Sequence, residues 1–254
     1  MLTWQPEIAE CITAARKISL FLDFDGTLAP IAAEPKLVKL DASTREALAN
    51  VSCKSGIVTT IISGRSIEDL RMRVDLPDII YAGNRGLEIS GRQLEFLEPV
   101  AATRSVQLRD ITDSLASRFQ GIPGVLVEFK GLTSTVHYRG AADTVIPMIE
   151  NAVHAAVAPF ASLFQEDTGN KALDIVPRIG WHKGCAVAWI NERLGLRDAL
   201  CMYFGDDWTD EDAFGTLSGA MTFRIGEDSE SRAKYCLESP TEVREFLQWL
   251  AIAK

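Results

Sequence analysis

Two carboxylates placed two residues apart at the end of an apolar run, in Leu22-Asp23-Phe24-Asp25-Gly26-Thr27-Leu28, are the chain's first candidates for chemistry. Ligands of open α/β sheets bind outside the carboxyl ends of strands. The spacing directs Asp23 and Asp25 toward one pocket, and Gly26 lets the chain turn away at once. Two bare carboxylates this close repel each other, so a bound cation or a proton on one of them is expected. An EF-hand loop is excluded, because it needs its glycine at the sixth position and here the glycine is fourth.

A second acidic group follows another apolar run, with Asp206, Asp207, Asp210, Glu211 and Asp212 giving five carboxylates in seven residues. Complementarity to the dipole of a helix running to Leu217 accounts for Asp210 and Glu211. It leaves Asp206 and Asp207 unexplained. Hard oxygen donors from two strand ends, with no Cys or His nearby, suit magnesium better than zinc. Ile61-Ile62-Ser63-Gly64-Arg65 adds a hydroxyl, a glycine and a guanidinium at a strand end before a helix, where an anion is favoured. Trp181-His182-Lys183-Gly184 puts a lysine at the start of a further helix.

These residues need a frame that brings strand ends together. Apolar runs at Ile18–Leu22, Ile57–Ile62, Ile79–Ala82, Leu200–Phe204 and Met221–Ile225 alternate with helix-period segments. That pattern predicts an α/β fold, a Rossmann-like parallel sheet covered by helices. Ser43 with Glu46 reads as a capping box opening a helix through Val51, and Ser66–Arg73 as the next crossover. Lys183–Leu194 is a helix that stops at Gly195, and Ser239 with Pro240 and Glu242 opens the last one. Residues 99–177 read differently, as helix, hairpin, helix and one or two strands. They are expected to form an inserted α+β cap domain between core segments 1–98 and 178–254. With Gly131-Leu132 as the turn, Glu128 opposes Thr135 and Leu126 opposes His137. Glu128, Lys130, Thr133, Thr135, His137 and Arg139 then share one face, while Val127, Phe129, Val136 and Tyr138 share the other.

Composition narrows the class. The 254 residues are 47% hydrophobic and 24% charged, enough to bury a core without staples. A net charge of −9 makes nucleic acid a poor partner. Five scattered cysteines without a Cys-x-x-Cys argue against a disulfide framework and for a reducing cytoplasm. The first residues lack a signal-peptide core, and no stretch is apolar enough to span a bilayer. No heptads mark an oligomer, so a monomer is favoured.

In their order, Asp23-x-Asp25, Ser63, Lys183 and Gly205-Asp206-Asp207 resemble the four motifs of the haloacid dehalogenase-like phosphatase superfamily. Within it the chain resembles the trehalose-phosphatase family, through Val127-Glu128-Phe129-Lys130-Gly131-Leu132, His137-Tyr138-Arg139 and Gly205-Asp206-Asp207-x-Thr209-Asp210-Glu211. The family's usual Gly-x-His-Gly is here Gly83-Asn84-Arg85-Gly86, and its Leu-Glu-x-Arg-Pro is Leu173-Asp174-Ile175-Val176-Pro177.

The resemblance implies Mg²⁺-dependent hydrolysis of trehalose 6-phosphate through an aspartyl-phosphate. Asp23 would be the nucleophile and Asp25 the acid and then the base. Ser63 and Lys183 would hold the phosphoryl group, and Asp207 would orient Lys183 or a metal-bound water. Asp23, Asp25 and Asp206 would bind the metal, Asp25 through its backbone carbonyl. Arg65, Asn84, Arg85, Glu128, Lys130, His137, Arg139 and Asp174 are the candidate substrate contacts. The alternatives are another glycosyl phosphate, such as sucrose 6-phosphate or a mannosylglycerate or glucosylglycerate phosphate, and a silent sugar-phosphate sensor.

Overall fold

Ile18–Leu22 forms a strand with all five residues buried, as a continuous apolar run does when helices cover both faces of a sheet. The structure is a computed structural model and describes residues 6–32, 35–169 and 171–254. Its strands are β1 (Ile18–Leu22), β2 (Ile57–Ile62), β3 (Ile80–Gly83), β4 (Glu88–Gly91), β5 (Leu94–Leu97), β6 (Leu126–Phe129), β7 (Ser134–His137), β8 (Phe164–Gly169), β9 (Ala172–Pro177), β10 (Leu200–Gly205), β11 (Met221–Ile225) and β12 (Tyr235–Leu237). Its α-helices are α1 (Pro6–Ala14), α2 (Ala42–Ser52), α3 (Ile67–Val74), α4 (Pro99–Arg118), α5 (Ile146–Val157), α6 (Lys183–Arg193), α7 (Trp208–Thr216) and α8 (Pro240–Ala253). No helix among the described residues is long and apolar enough to cross a membrane.

The chain divides into two compact units. One holds the residues up to Ile31, Val38–Glu95 and His182–Lys254, and the other holds Ala32–Leu37 and Phe96–Trp181. The larger sheet runs β12-β11-β10-β1-β2-β3-β4-β5. Neighbours from β12 to β3 pair in parallel, and β4 joins β3 antiparallel. From β1 the chain winds one way to β2 and β3, while β10, β11 and β12 lie on the other side. The crevice outside the carboxyl ends of β1 and β10 is therefore the topological switch point, where such sheets take ligands. Phe204 and Phe223 stack with ring centroids 4.3 Å apart, and Phe246 of α8 packs on both. This aromatic block anchors β10 just before its acidic end.

The smaller sheet runs β6-β7-β9-β8, antiparallel throughout. Leu126 pairs with His137 and Glu128 with Thr135, the register expected from the sequence. Leu108, Ile111 and Leu115 of α4, with Ile149, Val153 and Val157 of α5, pack against Val136, Tyr138, Leu173 and Ile175 on one face.

Two helix starts differ from expectation. Asp41, not Ser43, caps α2, because its carboxylate lies one residue before the first helical turn and accepts from the Thr44 backbone N–H (2.9 Å) and hydroxyl (2.7 Å). Ser239 is the cap residue of α8, but its hydroxyl makes no capping bond, and Glu242 instead accepts from the Glu238 N–H (2.8 Å). The Ser43 hydroxyl and then Thr44 hold the Asp41 carboxyl down, at about 2. A depressed folded-state value stabilises above the unfolded value near 3.8 and stops doing so as pH falls through about 2. Asp41→Ala is expected to cost about 1 kcal/mol at neutral pH. In urea unfolding, its difference from wild type should shrink as pH falls through the interval from about 4 to about 2.

Candidate active site

Lys183 opens α6 and is buried, held where the sheet's switch point places it. Its ammonium donates to Asp23 Oδ1 at 2.7 Å and to Asp210 Oδ1 at 2.8 Å. Asp23 follows β1, and its backbone N–H donates to the Phe204 carbonyl of β10 (2.9 Å). His182 caps α6, its Nδ1 accepting from the Gly184 N–H (3.1 Å), so this histidine positions the helix start. Asp23, Asp206 and Asp210 each present a carboxylate oxygen within 4.8 Å of the others. With all three ionised, these carboxylates against one ammonium would carry a net charge of minus two. Hard oxygen donors carrying that excess charge fit a divalent cation of the magnesium or calcium type.

Two glycines make this crowding possible. A β-carbon on Gly26, which has φ +80, would lie 1.9 Å from the Asp206 carboxylate, and one on Gly205 would lie 2.2 Å from that of Asp210. Burial raises the Asp23 carboxyl well above its usual range, with Lys183 opposing and Asp210 and Asp206 adding to the rise. Burial and then Asp210 push Asp206 up to about 7. For Lys183, burial works against the charge, but Asp210 and Asp23 outweigh it and keep the ammonium protonated.

Asp210 is the residue that sequence reasoning missed, assigned there to the helix dipole. It is fully buried and also accepts from the Tyr203 hydroxyl (2.7 Å) and the Asp207 N–H (3.1 Å). Its signal was the spacing of Asp207 and Asp210 as N-cap and third residue of α7, with Tyr203 upstream. Asp207 is not hydrogen-bonded to Lys183. As the N-cap its carboxylate turns to the Trp208 N–H (2.6 Å), and Lys183 takes Asp210 instead.

Asp25 takes a different cation from Asp23. Arg65 grips both Asp25 oxygens, through Nε at 2.7 Å and Nη2 at 2.6 Å, and reaches Asp69 at 2.6 Å. Arg65 is thus engaged by carboxylates; burial opposes its charge, but Asp25 and Asp69 strengthen its hold on the proton. Ser63 is buried, and its hydroxyl accepts from the Arg65 N–H (3.2 Å). Asn84 and Arg85 both take left-handed backbone, with φ 49 and 62. Asn84 donates to Glu88 (2.7 Å), and the Arg85 guanidinium lies 5.2 Å over the ring of Trp208, which is 38% exposed.

The other predicted contacts lie in the smaller unit, on the sheet face opposite its helices. His137 Nε2 is 3.0 Å from Glu128, and the Thr135 hydroxyl donates to Asp174. Asp167 pairs with Asp174, so Glu128, Thr135, Asp174 and Asp167 form one row across four strands. Asp167 was not singled out from sequence, since β8 carries no alternation that marks it. Lys130 continues the hairpin, its N–H donating to the Thr133 carbonyl (2.9 Å), and Arg139 donates to the Ala32 carbonyl (2.6 Å).

The family described as trehalose-phosphatase matches residues 21–240, which include every residue of the carboxylate centre. The chain belongs to the trehalose-phosphatase family. It is 34% identical over 251 residues to an uncharacterised glycosyl hydrolase of Mycobacterium tuberculosis, a match covering 94% of this chain and 19% of that protein. It is 31% identical over 261 residues to trehalose-phosphate phosphatase B of Arabidopsis thaliana, covering 95% of this chain and 68% of the relative. The chain thus spans about a fifth of the mycobacterial relative's length. A crystal structure of a trehalose-6-phosphate phosphatase related protein superimposes with a TM-score of 0.81 at 24% identity, covering 92% of this chain and 97% of that one, and so shares the fold.

In this trehalose-phosphatase fold Lys183 is the cation that makes two buried carboxylates, Asp23 and Asp210, tolerable beside the half-buried Asp206. Lys183→Met is expected to destabilise the metal-free protein by about 3–5 kcal/mol, because it leaves buried charges unpaired. Chemical unfolding in EDTA reads this directly.

Proposed function

We propose that the chain is a Mg²⁺-dependent phosphatase that hydrolyses trehalose 6-phosphate through an aspartyl-phosphate on Asp23. The observation that carries the reading is the Lys183 bridge between Asp23 and Asp210 beside Asp206, in a chain of this family. Lys183 holds Oδ1 of Asp23, which leaves Oδ2 to attack phosphorus in line. The bond from phosphorus to the sugar oxygen breaks, and Asp25 supplies the proton that this oxygen takes. Arg65 fills both Asp25 oxygens, so one of these bonds must open for Asp25 to deliver that proton and later to take one from the water that hydrolyses the aspartyl-phosphate. Ser63 and Lys183 donate to phosphoryl oxygens, since phosphoryl transfer asks mainly for positioning and charge stabilisation. A magnesium ion held by Asp206 and Asp23, with the Asp25 carbonyl, would offset the charge of the carboxylates and the phosphoryl group. Asp210 is the positioning residue for Lys183.

Glu128, Lys130, His137, Arg139 and Asp174 are the proposed sugar contacts, with Arg85 and Asn84 toward the phosphate. The polar row across the smaller sheet supports that reading, since three carboxylates and a hydroxyl on one face suit sugar hydroxyl groups. The reaction is assigned to the cytoplasm and to a monomer, consistent with five cysteines that form no disulfide among the described residues.

Phosphate release from trehalose 6-phosphate, sucrose 6-phosphate, glucose 6-phosphate and glycosylglycerate phosphates tests the substrate. Preference for trehalose 6-phosphate, abolished by EDTA, is the expected result. Release equal from all four sugars would sink the substrate assignment. Asp23→Asn should lower kcat by at least about 10⁴-fold with the fold intact. His137→Ala should raise KM for the disaccharide and leave hydrolysis of p-nitrophenyl phosphate unchanged.

A further inference from the structure

At the opposite edge of the larger sheet, the amino-terminal edge of β1 and β2, lies a hollow of about 690 Å³. Lys17, directly before β1, is six residues from Asp23, so the hollow is about 20 Å of extended chain from the carboxylate centre. It is an open hollow rather than an enclosed cavity, and its volume is within the range of small-molecule sites, roughly 300–1,000 Å³. Ile57 and Leu196 give it an apolar lining, and both are buried.

Its charge is one-sided. Lys17, Lys54 and Arg92 line it and no carboxylate does, in a chain with 26 basic and 35 acidic residues. Cations near helix ends commonly serve the exposed carbonyls there. Arg92 accounts for that need, since it donates to the Ser52 carbonyl at the end of α2 (3.4 Å) and to the Asp78 carbonyl (2.8 Å). Arg92 is itself fixed, as the first of two left-handed residues in the two-residue turn between β4 and β5. Among the described residues neither Lys17 nor Lys54 is paired with a carboxylate. Two ammonium groups without counter-charge, at the mouth of a hollow with an apolar lining, suit an anion carried on an organic body.

We propose that this hollow binds a small phosphorylated metabolite, of nucleotide or sugar-phosphate size, at a site separate from the carboxylate centre. Lys17 and Lys54 meet the phosphate, and Ile57 with Leu196 meets the body of the molecule. The site needs no metal and no residue of the proposed reaction.

Cys53 lines the hollow and is exposed, which supplies a local reporter. The full chain in EDTA is alkylated with iodoacetamide in the presence of ATP, glucose 6-phosphate or inorganic phosphate, and each cysteine is followed by peptide mass spectrometry. ATP or glucose 6-phosphate at ten times its dissociation constant should slow alkylation of Cys53 about tenfold. Cys11 and Cys236, also exposed, should react unchanged. Protection by inorganic phosphate as well would mean that the phosphate group alone suffices. Lys17→Glu/Lys54→Glu should abolish protection, and Lys17→Ala/Lys54→Ala gives the same reading without charge reversal. The proposal is overturned if neither ATP nor glucose 6-phosphate protects Cys53, or if protection survives in both double variants. Neither outcome depends on phosphatase turnover.

Discussion

A lysine ammonium buried among carboxylates is the constraint on which the rest of the carboxylate centre depends. Lys183 ties the start of α6 to the end of β1 and to the first turn of α7. None of the three partners tolerates burial alone, because an unpaired ion in a low-dielectric interior is far costlier than a lost contact. The bridge therefore demands that two crossovers of the sheet bring the ends of β1, α6 and α7 within hydrogen-bond reach of one another. Gly26 and Gly205 meet that demand by omission, since a methyl group at either would occupy the space of a carboxylate.

The charge count of the same cluster links stability to function. One ammonium cannot neutralise three carboxylates, and Asp206 responds by holding its proton to about 7. Such a donor set fits a divalent cation, whose binding would relieve the repulsion among the carboxylates. Arg65 plays the complementary part for Asp25, with Asp69 holding the guanidinium from its far side. Each carboxylate at the end of β1 thus has its own cation.

The smaller unit follows another logic. Its four-stranded sheet spends one face on a core with two helices and leaves the other to Glu128, Thr135, Asp174 and Asp167. Strand alternation makes that division automatic. It separates the apolar residues that form the unit's core from the polar row on the other face.

The limits of β1, β2 and β11, the register of the β6–β7 hairpin and the order of the four motifs were legible in the sequence. All of them rest on local rules: burial of a continuous apolar run, alternation along a strand, and a turn residue at a fixed offset. Residue type also specified hard oxygen donors and the family. Tertiary structure alone decided which carboxylate meets Lys183 and which cation meets Asp25. Asp207 and Asp210 look alike in sequence, but the cap position turns Asp207 onto the backbone of its own helix. Asp210, one turn further on, faces the buried ammonium. Lys183 lies 160 positions from Asp23, and Arg65 lies 40 from Asp25. Pairings over such distances are set by how the crossovers close, and no local pattern carries that information.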